Sequence, residues 1–294
     1  MLWSLHWLKM TENSFSFHNG DDIRLPLLIS VPHAGRNYPI AVHRNLKIPS
    51  SHLQRLEDRY SDLLARDAIA AGFPTIIAQK PRAWIDLNRN KSEIDVDIIS
   101  GLSKSHVTMP SRKVRGGLGL VPRRLSGIGE LWQQKWSWDD ISARISQDHE
   151  PYHAQISKIL GAMRLKFGCA ILLDLHSMPP LDASDEKQPQ IVIGDRFGRS
   201  AGSRYSEFAS AIFERSGFMS RLNLPYSGGY ILERHSNLDD NIHAIQVEVD
   251  RRCYLDTALS EPGKGLAIVS KLMADLAFEL TDQTNGRIFL DAAE

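Results

Sequence analysis

Two apolar segments that each end in a histidine constrain the fold of this chain most strongly. Residues 25–31 and 169–173 are short apolar runs typical of buried strands, and they lead to His33 and to Asp174 with His176. In open α/β folds, the carboxyl ends of the strands form the edge at which sites are built. One such histidine is usually an ordinary hydrogen-bonded loop residue, but two of them together predict a metal site.

The remaining hydrophobic pattern alternates between strand-like and helix-like segments, which predicts an α/β fold. The predicted strands are 25–31, 74–79, 83–87, 169–175, 190–194 and 244–250. The predicted helices are 51–71, 139–147, 151–166, 201–216 and 263–281. We expect residues 1–294 to form one α/β hydrolase domain, with 1–20 as a candidate N-terminal extension and Met10 as an alternative start. The Gly-, Ser-, Arg- and Pro-rich stretch at 100–130 is expected to form a flap beside the site.

Composition bears mainly on partners and location. The 294 residues carry 35 basic and 35 acidic side chains, and this zero net charge argues against binding to a nucleic-acid backbone. No apolar run approaches the roughly 18–20 residues that a membrane span requires, so no membrane partner is expected. Cys169 and Cys253 lie in apolar contexts typical of buried thiols, which favours a reducing, cytoplasmic location.

A polar segment at 86–89 is suited to binding a carboxylate. Arg89 presents a planar fork of donors that matches a carboxylate, and Asn88 adds another donor. A surface arginine beside a turn asparagine is the plain alternative. The glycine-rich turn at 224–230 permits close backbone approach, and we take its Tyr230, with Tyr226 as the other candidate, to bind substrate. A simple tight turn is the alternative here.

Glu248 lies near the end of the apolar strand predicted at 244–250. Burial raises the pKa of a carboxyl group toward the range that is useful for proton transfer, so Glu248 is a candidate general base. An ion pair with Arg251 or Arg252 is the alternative interpretation.

The carboxylate that completes the metal site is not unique in the sequence. Zinc in hydrolases commonly takes two histidines and one carboxylate and keeps a fourth position for water. The helix predicted at 51–71 presents Asp58 and Asp62 on one side, four residues apart. Such residues are more often solvated charges than ligands. We take Asp58 as the ligand, with Asp62 and Glu57 as competitors.

The segment His149-Glu-Pro-Tyr-His153 matches the H-E-x-x-H pattern of zinc proteases, which needs both histidines on one face of a continuous helix. Pro151 fits the first turn of a helix but not its interior. His149 is therefore expected to precede the helix, and a protease-type zinc site is not expected. Tyr152 and His153 are expected to border the site from the helix start.

Together and in this order, these segments resemble the N-formylglutamate amidohydrolase family over roughly residues 25–255. The segments that carry the resemblance are 31–35, 58–62, 82–89, 116–122, 174–177 and 226–230. They also resemble zinc carboxypeptidases more distantly. One departure from the carboxypeptidase pattern is Arg36, which stands where those enzymes have a glutamate three positions after the first histidine.

The resemblance implies a three-layer α/β sandwich of the phosphorylase/hydrolase-like group, with a mixed, mostly parallel central sheet. It also implies zinc-dependent hydrolysis of N-formyl-L-glutamate, or a similar N-acyl amino acid, to formate and glutamate, in histidine degradation. A zinc-carboxypeptidase-like peptidase and a non-catalytic metal- or carboxylate-binding protein are the alternatives.

The residue roles that follow are expectations for the structure. One Zn²⁺ ion is held by His33, Asp58 and His176. Glu248 and Arg82 act in catalysis, and Arg82 stabilises the oxyanion. The substrate is bound by Asn88, Arg89 and Tyr230. Because the substrate carries two carboxylates, a further cation is required, and Arg115 and Arg234 are candidates for it.

Overall fold

The computed structural model of the protein describes residues 14–101, 111–181 and 188–290, with side chains described as far as residue 284. The alternative start at Met10 and residues 102–110 of the predicted flap lie outside the described residues. Among the helices that this part of the chain forms, none combines the length and the hydrophobicity needed to cross a bilayer. Cys169 is buried, as expected, and Cys253 is partly buried.

A seven-stranded sheet forms the centre of the molecule. The strands are β1 (Phe15–His18), β2 (Leu27–Val31), β3 (Thr75–Ala78), β4 (Ile99–Ser100), β5 (Arg124–Leu125), β6 (Gly129–Glu130), β7 (Trp136–Ser137), β8 (Ala170–Met178), β9 (Ile191–Gly194), β10 (Ser220–Leu222) and β11 (Ile242–Asp250). The central sheet has the order β1-β3-β2-β8-β11-β9-β10, and β4-β7 and β5-β6 form two small sheets. In the central sheet β1 is antiparallel to β3 and β9 to β11, and the other neighbours are parallel.

Eight helices lie between these strands along the described chain, and a ninth follows β11. They are α1 (Ile40–Asn45), α2 (Ser61–Leu64), α3 (Arg66–Ala70), α4 (Arg112–Arg115), α5 (Trp138–Arg144), α6 (Glu150–Phe167), α7 (Ser203–Arg215), α8 (Tyr230–His235) and α9 (Leu266–Leu290). Short 3₁₀ segments lie at Ser50–Arg55, Val96–Ile98 and Arg251–Cys253. A π-helical turn at Ile145–His149 joins α5 to α6.

Helices cover both faces of the central sheet. Leu27, Ile29 and Val31 of β2 belong to a buried cluster with α7 and α9, whereas the intervening Leu28 belongs to a cluster with α6. This two-residue period is that of a strand, and burial on both faces is expected of a mostly parallel sheet. The predicted α/β sandwich with a mixed, mostly parallel sheet is confirmed.

The strand predicted at 83–87 is wrong. The segment begins at a proline turn, where the amide of Trp84 donates to the carbonyl of Pro81 at 2.8 Å. The amide of Asp86 then donates to Leu120 at 2.7 Å, and the Asp86 side chain accepts from the amide of Asn88 at 2.9 Å. These turn bonds and the long-range bond to Leu120 replace a strand ladder, so the carbonyl groups of this loop need donors from elsewhere.

The continuous helix predicted at 51–71 is also wrong. The segment divides into a 3₁₀ turn, α2 and α3. Tyr60, which lies between the 3₁₀ turn and α2, is in the left-handed region at φ 58°. In this break the amide of Asp58 donates to the carbonyl of His33 at 3.0 Å. The break therefore ties Asp58 to the end of β2. The edge strands β1 and β10 were not predicted from the sequence, and β1 lies within the candidate extension 1–20.

Candidate metal centre and active site

The site lies where the central strands β2, β8 and β11 end. His33 follows the end of β2, and His176 lies in the last part of β8. These two strands are parallel neighbours, with Ser30 opposite Asp174. On the other side of β8, Glu248 of β11 lies directly opposite His176. The parallel register thus brings groups that are distant in the sequence to one edge.

His33, Asp58 and His176 form a buried cluster whose candidate ligand atoms all lie within 4.8 Å of one another. Oδ2 of Asp58 is 2.8 Å from Nδ1 of His176 and 3.4 Å from Nδ1 of His33. His33 Nδ1 is buried and has no hydrogen-bond partner among the described residues. Two imidazoles, one carboxylate and an unpartnered buried nitrogen fit a divalent metal ion.

The outer nitrogen of each imidazole faces a second carboxylate. Nε2 of His33 is 2.7 Å from Asp86, and Nε2 of His176 is 2.8 Å from Asp174, and both aspartates are fully buried. Because a carboxylate only accepts, a neutral imidazole here carries its proton on Nε2. Each Nδ1 then directs its lone pair at the centre, an arrangement typical of metal-binding histidines.

The electrostatics of the cluster favour positive charge at its centre. Burial opposes ionisation of Asp58, but the adjacent imidazoles of His176 and His33 outweigh it and hold the pKa of Asp58 well below the usual range. Burial also opposes the charged form of His176, yet the charge and hydrogen bond of Asp174 raise its pKa well above the usual value. The site therefore stabilises a cation in contact with Asp58.

The two competitors of Asp58 have other partners. Asp62 pairs with the guanidinium of Arg36 through contacts of 2.9 and 2.8 Å. Glu57 accepts from Arg59 at 2.9 Å. Of the three acidic residues, Asp58 is the one that joins the histidine cluster.

Glu248 is a partly buried carboxyl group beside this cluster. Its Oε1 accepts from the amide nitrogen of Gln246 at 2.8 Å. Burial raises the pKa of Glu248 to about 7, and the charge of Asp58 adds to this rise against the opposite effect of His176. The group is thus poised to gain or lose a proton near neutral pH.

The two arginines considered as ion-pair partners of Glu248 contact other carboxylates. Arg252 contacts Asp250 at 2.6 Å, and Arg251 lies 3.6 Å from Asp58. Arg251 thereby places a buried cation near Oδ1 of Asp58, whereas the two histidines face Oδ2.

Arg82 and Arg89 flank Asp86, which accepts from His33. Nε of Arg82 donates to Asp86 at 2.8 Å, and Nε of Arg89 is 3.9 Å from the same oxygen. Arg89 is buried, and it also donates to the carbonyls of Leu118 and Asn88 at 3.0 and 2.7 Å. Both guanidinium groups are therefore held close to the cluster.

Asn88 is held in place by the start of α8 and by the glycine that precedes this helix. Its Oδ1 accepts from the amide of Ile231 at 2.9 Å. A Cβ at Gly229 would lie 2.3 Å from Oδ1 of Asn88, so this close approach requires glycine.

Tyr230 and the proposed extra cations lie further out. Tyr230 packs against His149 and His153, with ring centroids 6.0 and 5.3 Å apart, and its hydroxyl accepts from Arg234 at 2.8 Å. Arg234 and Arg115 are exposed.

Two polar residues near the site were missed from the sequence. One is Lys113, an exposed residue of α4 whose pKa is lowered by partial desolvation and then by repulsion from Arg89 and Arg82. The other is Gln246, for which the sequence held a signal, because residues two apart on a strand share a face and Glu248 was already a candidate. Tyr226, the second tyrosine candidate of the glycine-rich turn, lies near Glu248: burial raises the pKa of Tyr226, and the charge of Glu248 adds to this rise.

The expectation that His149 precedes the helix is wrong. The chain is helical from α5 through the π turn into α6, so Pro151 follows an already helical His149. The rings of His149 and His153 are 4.3 Å apart, but they face backbone carbonyls of Arg89 and Leu87. They are absent from the metal-type cluster found among the described residues.

The comparisons with known proteins agree with this geometry. Residues 25–255 match the N-formylglutamate amidohydrolase family. N-formylglutamate deformylases of Pseudomonas putida and Pseudomonas aeruginosa are 29% and 26% identical to the chain, over 83% of it and 86% of each relative. A crystal structure of N-formylglutamate amidohydrolase from Ralstonia eutropha JMP134 shares the fold with a TM-score of 0.84 at 23% identity, covering 92% of this chain and 98% of that one. The chain therefore belongs to the N-formylglutamate amidohydrolase family, and by class it is a hydrolase of linear amide bonds.

Proposed function

We propose that this protein hydrolyses N-formyl-L-glutamate to formate and glutamate with one zinc ion held by His33, Asp58 and His176. The observation that carries the proposal is the buried cluster of two imidazoles and a carboxylate beside Glu248. Both Pseudomonas relatives are named N-formylglutamate deformylase. A bound zinc ion would supply Lewis-acid chemistry, since it polarises a carbonyl group and makes water more acidic.

Glu248 acts as the proton carrier in this proposal. As a carboxylate it accepts a proton from the attacking water, and as the acid it delivers that proton to the leaving nitrogen. A pKa of about 7 suits both directions of transfer. The bond from Gln246 to Oε1 orients the group and leaves Oε2 for the proton.

The arginines neutralise the negative charge of a substrate carboxylate and of the oxyanion that develops during the reaction. Arg82 stabilises the developing oxyanion, a role whose loss typically costs ~3 kcal/mol. Arg89 with Asn88 holds one substrate carboxylate through fork-like donors. We assign the second carboxylate to Lys113, since the repulsion that Lys113 experiences from Arg89 and Arg82 is relieved when a dianion binds.

The function is tested by product analysis with purified, zinc-loaded protein. Release of formate from N-formyl-L-glutamate, and much less from an N-formyl amino acid with an uncharged side chain, supports the proposal. Release of a C-terminal residue from a peptide, without formate release from N-formylglutamate, supports the peptidase alternative. Zinc binding without any turnover supports the non-catalytic alternative.

The pH profile follows from the role of Glu248. Only its carboxylate form accepts the proton of water, so kcat/KM should rise with pH through the pKa of Glu248 and then level off. The charge of a bound metal lowers that pKa, which places the rising limb at or below about 7. Rates measured between about pH 5 and 9 check this. A rate that falls as the pH rises through 7 contradicts the assignment.

A further inference from the structure

The segment that imitates a zinc-protease motif lies beneath the loop that carries Asn88 and Arg89. A π-helical turn at Ile145–His149 leads directly into α6. Such turns are rare and are frequently found at functional sites. His149 and His153 are both fully buried, and neither is used in the proposed mechanism.

Each of these histidines holds one carbonyl group of the loop. Nε2 of His149 donates to the carbonyl of Arg89 at 2.9 Å, and Nε2 of His153 donates to the carbonyl of Leu87 at 3.0 Å. Since a carbonyl only accepts, both rings carry a proton on Nε2. The two bonds lie on either side of Asn88, so the backbone is held before and after this residue.

A third histidine, His235, is bonded to the other ring nitrogen of His153. Nδ1 of His153 is 2.8 Å from Nε2 of His235, and Nδ1 of His235 is 3.3 Å from the hydroxyl of Ser157. With Nε2 of His153 donating to the loop, its Nδ1 must accept, so His235 donates to it and accepts from Ser157. Ser157 therefore donates to His235, His235 donates to His153, and His153 donates to the carbonyl of Leu87.

The same helix also reaches the metal cluster. The hydroxyl of Tyr152 is 3.0 Å from that of Ser30, which donates to Asp174 at 2.8 Å. Asp174 is the carboxylate that faces Nε2 of His176. One face of α6 therefore contacts both the support of a metal ligand and the loop of the carboxylate-binding residues.

We propose that His149 and His153 are positioning residues that hold residues 87–89 so that Asn88 and Arg89 meet a substrate carboxylate. The loop has no strand ladder, so its carbonyl groups depend on side-chain donors. The inference rests on the proposed function, because it takes Asn88 and Arg89 as the groups that bind that carboxylate.

The test compares His153→Leu with His153→Gln and the wild type. Loss of the donor in His153→Leu should raise KM for N-formylglutamate about tenfold or more, with a smaller change in kcat and unchanged zinc content. Glutamine restores both an N–H donor and an acceptor, so His153→Gln should return KM to within about threefold of the wild type. His149→Leu should behave like His153→Leu.

The control is His243→Leu, which removes a buried histidine at the amino end of β11, where its partners include Asn241, Gly202 and the ring of Tyr205. It should lower the free energy of unfolding without raising KM. An equal rise of KM in His243→Leu and His153→Leu, or no rescue by glutamine, overturns the positioning role.

Hydrogen exchange of the amides in residues 86–90, measured without substrate, separates this inference from the proposed function. Exchange should be faster in His149→Leu and His153→Leu and close to the wild-type rate in His153→Gln. If the wild type releases no formate, the proposed function fails, and the exchange rates alone decide the positioning role. Unchanged exchange in both leucine variants overturns it.

Discussion

Replacing Glu248 with glutamine should lower kcat by about 1,000-fold while the protein keeps one equivalent of zinc. General bases typically contribute about 100- to 10,000-fold to the rate, and an amide cannot accept the proton of water at neutral pH. Glutamine has nearly the same shape, and its carbonyl oxygen still accepts from Gln246. The effect should therefore appear in kcat and not in folding.

The measurement combines formate release with metal analysis of the same preparation. The matched control is Asp250→Asn, which makes the same chemical change two residues further along β11, where the carboxylate binds Arg252 at 2.6 Å. Asp250→Asn should keep most of its activity. Wild-type turnover in Glu248→Gln contradicts the proposed base, and loss of zinc from that variant indicates that Glu248 is a ligand instead.

The histidines at the strand ends could be predicted because each follows an apolar segment typical of a buried strand. The carboxyl ends of such strands lie at the same edge of the sheet. Residues 25–31 and 169–175 have the continuous apolar character of strands buried on both faces. In the structure β2 and β8 are adjacent and parallel, so the polar groups that follow them meet. Adjacency itself is not encoded in either segment, so the pair of histidines predicted a shared site without predicting that the two strands are neighbours.

The errors have a common physical origin in long-range contacts. The segment 83–87 has the composition of a strand, but bonds to Pro81 and Leu120 give it another shape. The helix at 51–71 has the correct period, but a bond to His33 and the left-handed Tyr60 interrupt it. In both places tertiary contacts override local propensity, and both are next to the site.

Pro151 correctly indicated a local change in the helix, but the prediction that the helix starts there was wrong. Proline does disfavour a regular α-helix interior, and the chain meets this requirement with a π turn just before it. A helix on both sides of the proline then places His149 and His153 together. The rule used on the sequence distinguished only a continuous α-helix from a helix break. It did not include a π-helical turn that lets the helix continue past the proline.

The largest effect on metal binding is expected from Asp58→Asn. This change keeps the size of the side chain but removes the charge that faces both Nδ1 atoms of the cluster. Losing only the hydrogen-bond partner of a metal ligand costs about 10- to 100-fold in affinity, so losing an anionic ligand should cost at least about 100-fold. Zinc affinity, measured by competition with a chelator, should fall by that factor, and formate release should fall with it at limiting zinc.

Asp62→Asn is the matched control, because it makes the same change four residues away on the competing aspartate. Asp62 pairs with Arg36, and both side chains are partly exposed, at 22% and 31%, so its loss should cost about 1 kcal/mol or less in stability. Its zinc affinity should equal that of the wild type. Equal losses of affinity in the two variants would mean that general electrostatics, and not ligation by Asp58, hold the metal. Wild-type affinity in Asp58→Asn would instead move the third ligand to another carboxylate of the site, of which Glu248 is the one opposite His176.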